Sequence, residues 1–155
     1  MTETLASALE REHHEIDAGI AAFRSSREID ELRDAVAALR RHIYLEEVLV
    51  FPSLREAGLT APVFVMLREH GQMWRLLDRM DATDEPGALG DMCAELVPRL
   101  QAHNGKEEPI LYPQVDGVLD VDRSAVLREF IEAGEMPAGW TCEQATGQPR
   151  NLPFG

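Results

Sequence analysis

A histidine followed four residues later by a glutamate occurs in both halves of the sequence, in stretches that otherwise match. His42 and Glu46 lie in HIYLEEVLVFP, and His103 and Glu107 lie in HNGKEEPILYP. Residues four apart face the same side of an α-helix. Imidazole nitrogen and carboxylate oxygen together suit iron, and manganese or zinc as alternatives. Each pair is therefore a candidate half of a metal site.

The two stretches belong to a longer repeat, with an offset of 61 residues between positions 42 and 103. The tripeptide REH precedes both of them, so that His13 and His70 also take matching places. This pattern predicts a pair of helices that is used twice. In each pair, the first helix contributes one histidine and the second contributes the His-x3-Glu unit.

The six polar side chains fall on the apolar stripes of the predicted helices. His13, for example, follows Leu9 and precedes Ile16 at helical steps. Burial of an ionised carboxylate without compensation is strongly unfavourable, and Arg40, Arg41 and Lys106 fall on other faces. Two divalent or trivalent cations would compensate, each with two histidines, and both glutamates could bridge them. The predicted ligands are His13, His42, Glu46, His70, His103 and Glu107.

The alternative is that these residues are structural. A single histidine on an apolar face is more often a hydrogen-bonded core residue than a ligand, and a single HxxxE unit is common on solvated faces. The duplicated set, in register on four helices, favours metal binding. Other residues receive simpler interpretations: His14 as a surface residue, Glu47 and Glu108 as surface or outer acids, Met66, Met73 and Met80 as core filler, and Cys93 as a buried small apolar residue.

Helical spacing runs through almost the whole chain and predicts an all-α protein. Four long helices with short connections favour an antiparallel up-down four-helix bundle, with a short fifth helix at 122–133. Gly58 is expected to end the second helix and Thr60 to cap the third, while Pro52 and Pro113 mark bends. We expect a bundle domain at 1–133 and an irregular tail at 134–155. Trp140 and Phe154 could pack this tail against the bundle. The alternative is a frayed terminus.

Charge and composition argue against several kinds of partner and location. The formal net charge of −13 argues against nucleic acid or an anionic membrane surface as the partner. The N-terminus has no signal-peptide pattern and no segment is apolar enough to span a membrane, so a cytoplasmic location is expected. Two distant cysteines predict no disulfide framework. No nucleotide-binding loop and no general acid or base is evident, and the sequence gives no indication of oligomeric state.

Together these motifs resemble the hemerythrin-like (HHE cation-binding) domain over about residues 5–120. The resemblance rests on His13, His42-x3-Glu46, His70 and His103-x3-Glu107, with the flanking pairs Phe51-Pro52 and Tyr112-Pro113. It implies an antiparallel four-helix bundle with a non-haem di-iron centre. By position, His13 and His42 would bind one iron, His70 and His103 the other, and the two glutamates would bridge.

The sequence departs from the oxygen-carrying hemerythrins at two places. Trp74 stands where the carriers have a second histidine, and Glu107 lies four residues after its histidine where the carriers have an aspartate at five. The pattern is closer to hemerythrin-like proteins linked to nitric oxide, peroxide or iron-centre repair. The repair proteins carry an N-terminal cysteine-bearing domain that this sequence does not show.

The expected function is therefore a di-iron protein, oxo- or hydroxo-bridged, whose open coordination positions bind O2, NO or peroxide. Its role would be sensing, scavenging or storage, and a catalase-like or oxidase reaction stays open. The alternatives are iron storage or delivery, iron-centre repair, and a helical interaction module with a purely structural polar stripe.

Overall fold

The computed structural model describes residues 3–146 of the 155. These residues contain helices and no strand, as the sequence predicts, and none of the helices is long and apolar enough to cross a bilayer. The elements are α1 (Leu5–Ser26), α2 (Ile29–Leu45), π1 (Glu46–Val50), α3 (Phe51–Glu56), α4 (Thr60–Asp81), α5 (Pro86–Lys106), π2 (Glu107–Leu111), α6 (Tyr112–Val118) and α7 (Val121–Ala133). The antiparallel order of the long helices stays a prediction.

Local sequence signals explain several of the helix ends. The Thr4 side chain caps α1 by accepting from the Ser7 amide at 3.0 Å. Gly58 follows α3 with a φ of +96°, a left-handed conformation that glycine adopts without strain, so the predicted stop is correct. The predicted cap at Thr60 is wrong by one residue. Leu59 takes the cap position without a side-chain hydrogen bond, and Thr60 is already helical.

One π-helical turn interrupts the second helix of each repeat. π1 begins at Glu46 and π2 at Glu107, and each is followed by a short α-helix with proline in its first turn. Proline lacks an amide hydrogen and its ring crowds the carbonyl four residues earlier, so a widened turn before Pro52 and Pro113 relieves that conflict. The predicted irregularities are thus π turns inside nearly continuous helices, a feature that often marks functional sites.

The core consists of two apolar clusters with a polar layer between them. On α1, Leu5 and Leu9 belong to one cluster, and Ile16 and Ile20 belong to the other. His13 lies between the two groups. On α4, His70 likewise lies between residues of one cluster and residues of the other. The fold therefore holds the polar side chains at the level where the apolar packing is divided.

The segment from Gly134 to Thr146 has turns and no helix, but it packs on the helices. Trp140 makes edge-on contacts with Tyr44 and Trp74, with ring centres 5.0 and 5.6 Å apart. Cys142 is buried with the same cluster. A Cβ on Gly71 would lie 2.3 Å from the Gln144 carbonyl oxygen, so this approach requires glycine. Trp140 thus packs the described part of the tail against the helices, the first of the two alternatives, whereas Phe154 lies outside the described residues.

Candidate metal centre

The structure brings all six predicted ligand residues together in the polar layer. Each is buried, with at most 3% of its surface exposed. The residues come from both repeats: His13 from α1, His42 from α2, Glu46 from π1, His70 from α4, His103 from α5 and Glu107 from π2. His14, the neighbour of His13, is exposed, as predicted.

The six side chains form two groups that share both glutamates. One group contains His13 and His42, the other contains His70 and His103, and Glu46 and Glu107 belong to both. Within each group one ligand atom per residue lies within 4.8 Å of the others. Such groups have the donor types and the spacing to hold a cation each.

Each shared carboxylate directs one oxygen to each group. Glu46 Oε2 lies 3.6 Å from His42 Nε2, and its Oε1 lies 3.0 Å from His70 Nε2. Glu107 Oε1 lies 3.1 Å from His13 Nε2, and its Oε2 lies 3.2 Å from His103 Nε2. One oxygen of each carboxylate therefore faces each histidine pair, and all four Nε2 atoms face inward.

The outward Nδ1 atom of each histidine contacts a further carboxylate. The distances are 2.9 Å from His13 to Glu108, 2.9 Å from His42 to Glu12, 2.7 Å from His70 to Glu47, and 2.9 Å from His103 to Glu69. A carboxylate at Nδ1 assigns a hydrogen to that atom. In a neutral imidazole this leaves the Nε2 lone pair for a metal ion. Four matched outer carboxylates thus orient four ligand nitrogens.

Only half of these outer carboxylates were predicted from the sequence. Glu47 and Glu108 were interpreted as surface or outer acids, and both contact a histidine. Glu12 and Glu69 were missed, although each directly precedes a histidine in the repeated REH tripeptide. That repetition was the available signal.

Two basic residues support the outer carboxylates from outside. Arg41 Nη1 donates to Glu12 Oε2 at 2.9 Å, and Lys106 Nζ contacts Glu69 Oε2. Arg41 also donates to main-chain carbonyls at the end of α7, including that of Ile131 at 2.9 Å. The two basic side chains therefore neutralise outer carboxylates. Neither of them forms an ion pair with Glu46 or Glu107.

We expect Glu12→Gln to lower metal affinity by about ten- to hundredfold, since loss of an outer partner of a ligating histidine typically has this effect. Glutamine keeps the shape of the side chain but loses the charge that holds the His42 Nδ1 proton. The matched control is Glu15→Gln on the exposed side of the same helix, where the carboxylate pairs with Arg11. Competition with a chromophoric chelator measures both variants, and equal losses would contradict the assigned role.

In the metal-free protein, protons on two of the histidines compensate the charge of the buried carboxylates. Burial disfavours the charged form of His42, but Glu46 and Glu12 outweigh this and raise its pKa to about 10. Burial likewise opposes protonation of His103, and Glu107 and Glu69 raise its pKa to about 10. Within residues 3–146, no donor has hydrogen-bonding geometry toward the buried Glu107 Oε2. An acceptor oxygen without a donor, between imidazoles that attract protons, fits a metal ligand.

Metal affinity should therefore rise steeply with pH. Raised pKa values mean that His42 and His103 carry protons below about pH 10 in the metal-free protein, and a metal ion must displace these protons. Each ion would displace at least one proton, so the affinity of each position for Zn²⁺ or Mn²⁺ should increase at least about tenfold per pH unit between about pH 6.5 and 8, and the combined affinity for two ions at least about hundredfold. Calorimetry in buffers of different ionisation enthalpy measures the release. Binding that is independent of pH would show that the imidazoles are already neutral.

A tyrosine that the sequence analysis assigned no role lies inside the first group. The Tyr112 hydroxyl is 2.7 Å from Glu46 Oε2, 2.8 Å from His13 Nε2, 2.9 Å from Glu107 Oε1 and 3.0 Å from His42 Nε2. Its counterpart in the other repeat is Phe51. That ring stacks on His70 with centres 5.5 Å apart and carries no hydroxyl. The two halves of the site therefore differ in one oxygen atom.

Trp74, at the position where oxygen carriers have another histidine, is not in either ligand group. It is buried in the larger apolar cluster together with Met73, and Arg40 lies over its ring at 4.4 Å. The indole thus contributes to core packing.

Comparison with known proteins gives one result. No curated protein and no solved structure matches the chain. The model of the hemerythrin HHE cation-binding domain matches residues 4–115, a span that contains all six residues of the inner layer. The chain therefore belongs to the hemerythrin HHE cation-binding domain family.

Proposed function

We propose that this protein holds two iron ions between its repeats and binds or reacts with a small ligand such as O2, NO or peroxide. The observation that carries the proposal is the orientation of Glu46 and Glu107, each of which directs one oxygen to each histidine pair. Four imidazole nitrogens and two carboxylates suit iron, with manganese and zinc as alternatives. Membership of a cation-binding family supports the same conclusion.

The proposed ligand assignment follows the two groups. His13 and His42 would hold one ion, His70 and His103 the other, and the two glutamates would bridge them. An iron pair in this place would supply open coordination positions and electron exchange with a small ligand. The chain itself would fix the imidazoles through the outer carboxylates and shield the site between two apolar clusters. We also propose the antiparallel four-helix order, which the short connections between the long helices support.

The surroundings of the site favour a small ligand over a large substrate. The ligand side chains are almost fully buried, and a groove of about 550 Å³ beside Asp17 and Gln101 has none of them in its lining. A cavity of about 140 Å³ is lined by Glu47 and Phe51, both of which contact His70. This volume admits molecules of a few atoms, and Glu47 and Phe51 separate it from His70.

Iron content and an optical titration test the proposal. Protein expressed with added iron should contain two iron ions per chain, and its near-ultraviolet and visible spectrum should change on addition of azide, NO or hydrogen peroxide. Two bound ions with no spectral response, and rapid loss of iron to a chelator, would instead indicate iron storage or delivery. Protein without bound metal under these conditions would contradict the proposal and support a structural role for the polar layer.

A further inference from the structure

We propose that Tyr112 is a phenolate ligand of the metal ion held by His13 and His42, so that the two metal positions are chemically different. This inference rests on the proposed function. Its basis is the position of one hydroxyl oxygen 2.7 to 3.0 Å from four ligand atoms of the same group. Only Glu46 and Glu107 among these partners also belong to the second group.

Hydrogen bonding alone does not account for this hydroxyl when both imidazoles are neutral, which is the state that metal binding requires. A phenol has one hydrogen to donate. Ionised Glu46 and Glu107 are acceptors, and the Nε2 atoms of His13 and His42 present lone pairs because their Nδ1 atoms face Glu108 and Glu12. The single hydroxyl hydrogen would then face four acceptor atoms, of which it can serve only one or two. A metal ion resolves this conflict, since it accepts electron pairs from all five atoms.

The step is balanced by the loss of one proton. The phenol O–H bond breaks, the oxygen keeps the electron pair and donates it to the metal ion, and the proton leaves to solvent. No oxidant or reductant is required. Burial of the phenol and the two negative carboxylates beside it oppose this ionisation in the metal-free protein, so the bound cation is the charge that would make it favourable.

The group that contains His70 and His103 has no equivalent oxygen, because the first repeat carries Phe51 where the second carries Tyr112. Phe51 places an apolar ring against His70, and the cavity of about 140 Å³ opens beside this ring. The metal ion held by His13 and His42 would gain a protein ligand, whereas the ion held by His70 and His103 would keep a position for an external one. Small ligands should therefore bind on the His70 side.

Resonance Raman spectroscopy of the ferric protein provides the test. Excitation in the visible should enhance the ring modes of a tyrosinate bound to iron(III). The chain has two tyrosines, Tyr44 and Tyr112, so Tyr44→Phe is a matched control that should retain these modes. Tyr112→Phe should lose them completely, together with the visible charge-transfer absorption. Ring modes that vanish in Tyr44→Phe, or that are absent from wild-type protein with two bound iron ions, would overturn the inference.

Mössbauer spectroscopy tests the difference between the two positions. Wild-type protein should give two quadrupole doublets of equal area, and azide should shift one of them while the tyrosinate modes remain. Azide that abolishes the tyrosinate modes, or a single doublet in wild-type protein, would contradict the placement. These outcomes differ from failure of the proposed function, which would appear as wild-type protein without a pair of iron ions.

Discussion

Replacement of Glu46 by glutamine should reduce the bound metal from two ions per chain to one or none. The carboxylate directs one oxygen to His70 and the other to His42 and Tyr112. A glutamine of the same shape keeps only one oxygen, and its nitrogen cannot bind a metal ion. It also removes one of the two inner negative charges. We expect the affinity at both positions to fall by more than about hundredfold, beyond the effect of losing an outer partner.

The matched control is Glu56→Gln in the same continuous helix. That carboxylate is exposed and pairs with Arg123 at the surface. The substitution therefore removes one negative charge at a residue that does not contact the polar layer. Metal analysis after gel filtration should give two ions for the control. Retention of both ions by Glu46→Gln would show that the carboxylate does not bridge.

Metal binding should also raise the thermal stability of the protein strongly. The ligand set comes from both repeats, so only the folded chain presents it, and binding to the folded state alone stabilises that state. With free metal about 100-fold above the dissociation constant, each position contributes about 2.7 kcal/mol. Two positions give about 5 kcal/mol, which corresponds to an increase in Tm of about 10–20 °C for a domain of this size.

Differential scanning calorimetry of metal-free and loaded protein measures this increase. The combined variant His42→Ala and His103→Ala removes one nitrogen ligand from each group and should show little metal-dependent increase, whereas exposed His14→Ala should show the full effect. Equal Tm values for metal-free and loaded wild-type protein would mean that the six side chains do not bind metal together.

The six side chains that meet in the polar layer were predictable because their spacing follows the helical period. His42 and Glu46 lie four residues apart on one helix, and the same unit recurs at His103. Burial of these residues follows from their place on an apolar stripe. The repeat indicates that the two histidine pairs take equivalent positions. This reasoning needs only the period of an α-helix and the cost of buried charge.

The outer carboxylates were harder to predict, since they act between helices. Glu12 contacts His42 on α2, and Glu69 contacts His103 on α5. Neither carboxylate serves the histidine that it precedes in the sequence. Which neighbouring helix faces such a residue depends on the packing of helices, and a single sequence does not specify it.

Tyr112 was missed because an α-helical period places it on the wrong face. Five residues after Glu107, it would be rotated by about 140° in an α-helix. The π2 turn changes this relation. The Tyr112 amide bonds the carbonyl of Glu107, five residues back, and the hydroxyl lies 2.9 Å from the carboxylate of the same residue. The recurrence of Pro six residues after Glu46 and Glu107 was the sequence signal for these turns.

Anomalous diffraction from a crystal of the iron-loaded protein, collected at the iron edge, tests the central claim most directly. We expect two peaks about 3.5–4 Å apart, one between His13 and His42 and one between His70 and His103, with Glu46 and Glu107 in contact with both. A single peak, peaks elsewhere on the protein, or no iron within bonding distance of these six side chains would contradict a shared two-metal centre.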